Sequence, residues 1–431
     1  MEQYAQMKDS GVTWIQDIPT TWGIRVLFQL ADQVKNKNKD LAEKNLLSLS
    51  YGRIKRKNID SPEGLLPESF DGYNIIEADD IVLRLTDLQN DHTSLRVGQA
   101  KERGIITSAY TTLRPSGLVN PRFLYYVIHA YDLIKGFYGM GAGVRQGLNY
   151  DEVKTIKVPF PSLEIQNGIV AFLDDQVSQI DSIIEETKNT IEEYKSWKKS
   201  IIHEAVTRGI THGIPMKATD SLVSGEIPRH WEIKRFKNIA SEMYKGSGIT
   251  KEDIYDDGDV SCVRYGEIYT KYDTCFDDCF TKTMSESISS KRYFTTNDIL
   301  FAGTGELVEE IGKNIVYLGN DTCLAGGDII VAKHHENPVF LSYALNSHYA
   351  QTQKSEGKAK LKVVHISVSE IGNLTVFLPP AEEQNAIADF LSEQCSLIGS
   401  AISEKNDLIA DLEKYKRSII YDVVTGKRKV V

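Results

Sequence analysis

Residues 162–208 read SLEIQNGIVAFLDDQVSQIDSIIEETKNTIEEYKSWKKSIIHEAVTR, a stretch without a single proline. Apolar residues fall at Leu173, Val177, Ile180, Ile184, Ile191, Tyr194, Ile201 and Ala205. With Thr187 and Lys198 filling the gaps, the steps alternate between four and three, the heptad spacing of a coiled-coil seam. The stretch after Pro380 repeats the pattern with Leu391, Cys395, Ile398, Ile402, Ile409, Leu412, Ile419 and Val423, broken by Lys405 and Lys416 at the same two places. Prolines 159, 161, 379 and 380 punctuate the approach to each stretch, and Glu164, Glu382 and Glu383 sit where a helix N-terminus favours anions. At ~1.5 Å per residue each stretch makes a rod of roughly 60 Å.

Working outward from the rods, the whole chain is a tandem repeat. Ile18-Pro19-Thr20-Thr21-Trp22 returns as Ile227-Pro228-Arg229-His230-Trp231, and Tyr51-Gly52 returns as Tyr265-Gly266. Asp80-Ile81-Val82-Leu83 matches Asp298-Ile299-Leu300-Phe301, and Asn120-Pro121 matches Asn337-Pro338. Gln166-Asn167 matches Gln384-Asn385. Each copy has a first part that tolerates insertions and a last part that does not. The expected division is residues 1–157 and 213–376 as two similar globular domains, with 158–212 and 377–431 as two long helices. If the rods pair, antiparallel pairing spares the second domain from bridging a full rod length, so a pseudo-two-fold dumbbell is expected. Strand-like runs at Ile75-Ile76, Ile81–Leu83, Ile105-Ile106, Ile299–Phe301, Ile315–Tyr317 and Ile329–Val331 alternate with short helical stretches near Arg122–Tyr131 and Val339–Leu345. The fold class expected is α+β.

Composition bounds the function. The 431 residues are 41% hydrophobic and 26% charged, with mean hydropathy −0.30, an ordinary globular balance. No window reaches the ~18–20 apolar residues that span a bilayer, and the opening MEQYAQMKDS is no signal peptide. Five scattered cysteines argue against a disulfide framework, so a soluble cytoplasmic protein with no membrane partner is expected. The net charge of −10 hides local basic loops: Arg53-Ile54-Lys55-Arg56-Lys57-Asn58 follows the repeated Tyr-Gly, and Lys354, Lys358, Lys360 and Lys362 precede the second rod in what reads as a loop. Cationic loops flanked by Asn, Gln and aromatic residues suit phosphate contacts and base-edge readout.

Catalytic signatures are weak. Asn120-Pro121-Arg122-Phe123 and Phe137-Tyr138-Gly139-Met140-Gly141 each approach an amino-methyltransferase motif, but the former lacks its second proline and too few residues separate the two. Glu152-Val153-Lys154 mimics part of a nuclease site, and its repeat Glu370-Ile371-Gly372 lacks the lysine. Cys275 and Cys279 have no histidine pair beside them, and His334-His335 reads as an exposed polar loop. No phosphate-binding GxxxxGK[ST] loop occurs.

Taken together the residues resemble the specificity subunit of type I restriction–modification systems. The resemblance rests on the paired openings from Met7 to Trp22 and from Met216 to Trp231, and on Lys245-Gly246-Ser247-Gly248-Ile249-Thr250-Lys251 leading to Arg264-Tyr265-Gly266-Glu267. Ala325-Gly326-Gly327-Asp328 and the run from Pro379 to Gln384 add to it. It implies a non-catalytic chain whose two globular halves are target recognition domains, each reading half of an interrupted double-stranded DNA sequence. The helices would set the gap and dock two methyltransferase subunits, which carry S-adenosylmethionine and methylate adenine N6. Restriction subunits would bring ATP, Mg²⁺ and translocation, and this chain itself would need no cofactor and no metal. A stand-alone methyltransferase or nuclease on the same scaffold is the alternative. The candidate DNA contacts are Arg53, Lys55, Arg56, Lys57, Asn58, Gln89, Asn90, Arg145 and Gln146 in the first half. In the second they are Lys245, Lys251, Arg264, Lys271, Lys358, Lys360 and Lys362.

Overall fold

The computed structural model describes residues 4–59, 69–91, 93–140, 147–219, 225–305, 307–358 and 364–430. Among them are five helices of eight residues or more: α1 (Pro121–Leu133), α2 (Leu163–Arg208), α3 (Pro338–Asn346), α4 (His348–Ser355) and α5 (Ala381–Val424). The chain divides into two compact units, one of residues 1–187 with 406–431, the other of residues 188–405. The division falls inside both long helices, not at their ends, so each of α2 and α5 belongs partly to each unit.

In the first unit an antiparallel sheet runs in the order Ala31–Gln33, Thr111–Pro115, Ile81–Leu83, Val97–Gln99. The second unit repeats that order with Glu242–Lys245, Ile329–Lys333, Ile299–Ala302 and Asn314–Tyr317, and adds Cys275–Phe276 as a parallel edge. A further four-stranded sheet, Thr281–Thr283, Val260–Val263, Cys323–Ala325 and Tyr293–Phe294, gives the second unit its extra bulk. The strand at Ile81–Leu83 is buried at every position, as is that at Ile299–Ala302, which explains why both read as continuous apolar runs instead of alternating ones.

Each unit fastens the beginning of a long helix in the same way. Asn120 caps α1, its Oδ1 accepting from the Arg122 and Phe123 amides, while Pro121 takes the first helical position, where a missing N–H costs nothing. The Asn120 amide donates to Gln166 Oε1 at 2.8 Å, and its Nδ2 donates to Asn167 Oδ1 at 2.8 Å. Gln166, fully buried, returns its own Nε2 to the Pro161 carbonyl at 2.9 Å. In the second unit Asn337 and Gln384 reproduce the latch at 3.0 Å, Asn337 and Asn385 at 2.7 Å, and Gln384 Nε2 and the Pro379 carbonyl at 2.9 Å. Every polar atom the latch buries is thereby paired, the condition under which a buried amide stabilises a fold.

The far ends of the helices are fastened by tryptophan. Gly209 (φ +76°) and Gly426 (φ +72°) end the helices in the left-handed conformation that glycine adopts freely. A Cβ on Gly209 would sit 3.3 Å from the Trp231 ring, and one on Gly426 would sit 3.2 Å from the Trp22 ring and still closer to Pro19. Trp22 and Trp231 are each 1% exposed, burial worth roughly 2–3 kcal/mol apiece.

The long helices pack antiparallel in each unit. In the first, Ile169 and Leu173 of α2 share a core with Ile419, Ile420, Val423 and Val424 of α5, and one to two turns on, Asp181 meets Lys416 at 2.6 Å. In the second, Ala205 and Val206 at the end of α2 share a core with Ile387, Ala388, Leu391 and Cys395 near the start of α5. Of the heptad positions, Leu173, Ile180, Ile184, Ile191, Leu391, Ile398 and Ile419 are buried, and Val177, Tyr194, Ile201, Ile402, Ile409 and Leu412 are partly covered.

Three expectations need correction. The long helices are shorter than 158–212 and 377–431: Lys157–Phe160 and Thr375–Leu378 are strands, pairing with Gly23–Val26 and Glu232–Arg235, because prolines hold the chain extended there. Lys354 lies in α4, not in a loop; it is 2% exposed, its Nζ donating to the Gly312 and Leu345 carbonyls at 2.6 Å. His334 is half-buried instead of exposed, and that burial holds its imidazole below the usual range.

Candidate nucleic-acid interface

In the first unit the cationic run forms a hairpin, Leu47–Ser50 with Arg53–Arg56. Its two-residue turn, Tyr51-Gly52, has φ +47° and +75°, the positive pair that matches strand twist in tight hairpins. Gly52 is required on space as well, since a Cβ would lie 3.0 Å from Leu95 Cβ. Leu47, Leu49 and Ile54 pack inward, which leaves Arg53, Lys55, Arg56, Lys57 and Asn58 exposed. Tyr51 stands at the tip, 80% exposed, an aromatic in a backbone conformation that β-turns usually give to Asn or Gly. Arg56 pairs with Glu102, and Arg53 reaches Asp181 of α2 at 3.2 Å.

Gln89 and Asn90 sit exposed on the loop after Leu88, and the group that shapes this loop escaped the sequence reading. Arg96 is fully buried, its guanidinium donating to the Thr86, Asp87 and Asp91 carbonyls and resting 5.7 Å from the Tyr138 ring centre. Its backbone amide donates to Asp132 Oδ2 at 2.6 Å, and burial raises the Asp132 carboxyl to about 6. Arg145, Gln146, Lys360 and Lys362 lie outside the described residues.

Between the hairpin, α1 and the helix pair of the same unit lies an open cleft of about 510 Å³. Arg122 stacks on Tyr125 and Tyr126 at 4.9 and 4.7 Å and pairs with Asp174 at 2.7 Å; the Tyr126 hydroxyl donates to the same carboxylate at 2.6 Å. His129 is stacked on Tyr125 (5.5 Å, 7° between planes), and burial pushes its pKa down to about 4. Its Nδ1 has no hydrogen-bond partner. Lys55 and Lys101 line the mouth.

In the second unit the two glycine-bearing segments meet. Lys245-Gly246-Ser247 runs against Ala325-Gly326, the Ser247 amide donating to the Ala325 carbonyl at 2.6 Å, and a Cβ on Gly246 would collide with the Gly326 carbonyl. The approach of two backbones explains both glycine runs. Lys245, Lys251 and Lys271 are exposed, the last lying 5.7 Å from the ring of Phe280, which is 65% exposed. Arg264 is more committed: Glu267 accepts from its backbone amide at 2.9 Å and from its guanidinium at 3.2 Å, leaving Nε unpartnered. Lys358 is turned to structure, donating to Glu370 and the His365 carbonyl at 2.6 Å with only 14% of its side chain exposed. The exposed aromatics Tyr51, Tyr265 and Phe280 were not among the candidates; the repeated Tyr-Gly pair marked the first two, whereas the exposure of Phe280 leaves no sequence pattern.

Glu152 caps its own short helix by accepting the Asn149 amide at 2.8 Å, and Lys154 pairs with Asp151, so the acid-x-Lys triplet is spent on local structure. Phe137 is fully buried in the core of the first unit.

Residues 75–193 and 228–408 match the family described as Type I restriction modification DNA specificity domain. The chain belongs to that family. Curated relatives of this specificity family agree along most of the chain. A putative type I restriction enzyme MjaX specificity subunit of Methanocaldococcus jannaschii is 24% identical over 417 residues, 92% of each chain. The MjaVIII specificity subunit of the same organism is 23% identical over 321 residues, 69% of each chain. Among solved structures, a chain of a type I R-M system described for its complex assembly and conformational transition shares the fold with a TM-score of 0.70 at 13% identity, covering 94% of this chain and 98% of its own. The HsdS subunit from Thermoanaerobacter tengcongensis gives 0.51 at 14% identity, covering 95% and 98%. The specificity-family assignment accounts for the doubled architecture, and no described helix is long and apolar enough to cross a membrane.

Proposed function

We propose that this chain is the DNA-sequence-reading subunit of a type I restriction–modification complex and performs no chemistry itself. One observation carries the reading: a chain of the DNA specificity family mounts exposed cation-and-aromatic segments in both of its repeated units, at Tyr51–Lys57 in one and around Lys245, Lys251, Lys271 and Phe280 in the other. Two similar readers on one chain fit a target of two half-sequences. Phosphate contacts from Lys and Arg supply affinity, while Asn58, Gln89 and Asn90 offer the amides that read base edges. The unbroken helices α2 and α5 set the unread gap between the half-sequences. Apolar side chains exposed on them, Ile183, Trp197, Leu397 and Leu408, offer docking area for two methyltransferase subunits. Those subunits bring S-adenosylmethionine, and restriction subunits bring ATP and Mg²⁺.

The test is a gel shift of the chain assembled with its methyltransferase partners on duplexes carrying both half-sequences or only one. Tight binding should require both halves at the native gap. Equal binding to unrelated duplex at physiological salt would remove the sequence-reading role.

A further inference from the structure

Five cations converge on the cleft of the first unit, Arg53, Lys55, Lys101, Arg122 and Lys416, against two carboxylates, Asp174 and Asp181. Asp174 is paired with the recognition domain, its Oδ1 accepting from both Arg122 and the Tyr126 hydroxyl. Asp181 is differently placed: it comes from the spacer helix α2, yet it bridges Lys416 of α5 (2.6 Å) and Arg53 of the hairpin (3.2 Å). Arg53 holds this contact with 70% of its side chain exposed, so the pair is weak and easily exchanged. Among the residues lining the cleft, His129, 6% exposed, leaves Nδ1 unpartnered, a buried polar atom that the folded chain does not satisfy.

We propose that this cleft is a phosphate subsite for the DNA backbone, in which Asp181 occupies the anion's place until DNA arrives. This rests on the DNA reading above and adds a contact made by the spacer helices, not only by the recognition domain. When a backbone phosphate enters, Arg53 and Lys416 pass from the carboxylate to it, with Lys55 and Lys101 completing the cationic mouth. The backbone of a duplex is the occupant because the cleft is open and the exposed cations continue out of it along Lys55, Arg56 and Lys57.

The experiment measures binding of the assembled complex to its target duplex across a salt series, for the unaltered chain, Asp181→Asn and Lys101→Gln. Asp181→Asn should bind several-fold tighter, a gain that no folding defect produces. Lys101→Gln should bind more weakly and lower the salt slope by about one, without changing which sequence is preferred. Inorganic phosphate added at constant ionic strength should not displace the duplex; displacement would assign the cleft to a free anion and overturn the proposal. Unchanged affinity and slope in both variants, with the unaltered complex binding normally, would overturn the subsite alone. Failure of the unaltered complex to bind duplex would overturn the DNA reading on which it stands.

Discussion

Arg96 and Lys358 show how the same residue type serves opposite ends. Lys358 looked like a surface cation beside Lys360 and Lys362, but it closes an ion pair with Glu370 under cover of the chain. Arg96 drew no attention in the sequence, because a lone arginine carries no pattern, yet its buried guanidinium pins the loop that presents Gln89 and Asn90. Arg96→Ala would leave three carbonyls without their donor. A loss of about 3 kcal/mol or more is expected, read as a lowered denaturation midpoint, and Arg96→Lys should recover only part of it because one ammonium cannot span the three carbonyls. His129 gives a pH-dependent test. Its folded-state pKa of about 4 lies below the unfolded value, so its stabilising contribution is complete above about pH 6.5 and is lost as pH falls toward 4. Asp132 opposes it, since its raised carboxyl favours the folded state as pH falls below about 6. The two contributions offset each other in the unaltered chain, so replacing His129 with Phe leaves Asp132 alone, and the variant's melting temperature should rise relative to the unaltered chain's as pH falls from about 6 toward 4. Parallel pH profiles in the two chains would show that His129 is not the titrating group.

At the level of elements, much was legible. The heptad positions of α2 and α5, the proline-marked approach to both helices and the short helices near Arg122–Tyr131 and Val339–Leu345 follow from local spacing, which sequence displays directly. The Asn120–Gln166 and Asn337–Gln384 latches were visible only as separate repeated pairs, since hydrogen bonds spanning 46 and 47 residues depend on tertiary approach. The site was less legible for the same reason: which cations are tied up in ion pairs depends mostly on distant partners, Glu102 lying 46 residues from Arg56 and Asp181 128 residues from Arg53, with only Glu267 close in sequence to its Arg264. Gln166→Ala should destabilise the first unit by about 2–3 kcal/mol through the unpaired Asn120 amide, with Gln384→Ala doing the same in the second. Shortening α2 and α5 by one heptad each should change the gap of the methylated sequence and leave both half-sequences as they were. Altered half-sequences with an unchanged gap would separate the helices from spacing.

Across the whole molecule, one sheet order and one latch occur twice, so the chain is two variations on a single unit. A net charge of −10 is compatible with holding DNA because exposed cations are gathered locally, on the Arg53–Arg56 hairpin of one copy and at Lys245, Lys251 and Lys271 of the other, while acidity is carried by the helices and the second half. It also accounts for the division of labour proposed here, in which sequence is read on this chain and methyl transfer, ATP use and cleavage belong to others. The most direct test is a map of N6-methyladenine across the host genome, with the gene intact and deleted. The account predicts a two-part methylated sequence with an unread gap that disappears on deletion and returns on complementation. A methylation pattern identical with and without the gene, in cells that express the partner methyltransferase, would contradict it.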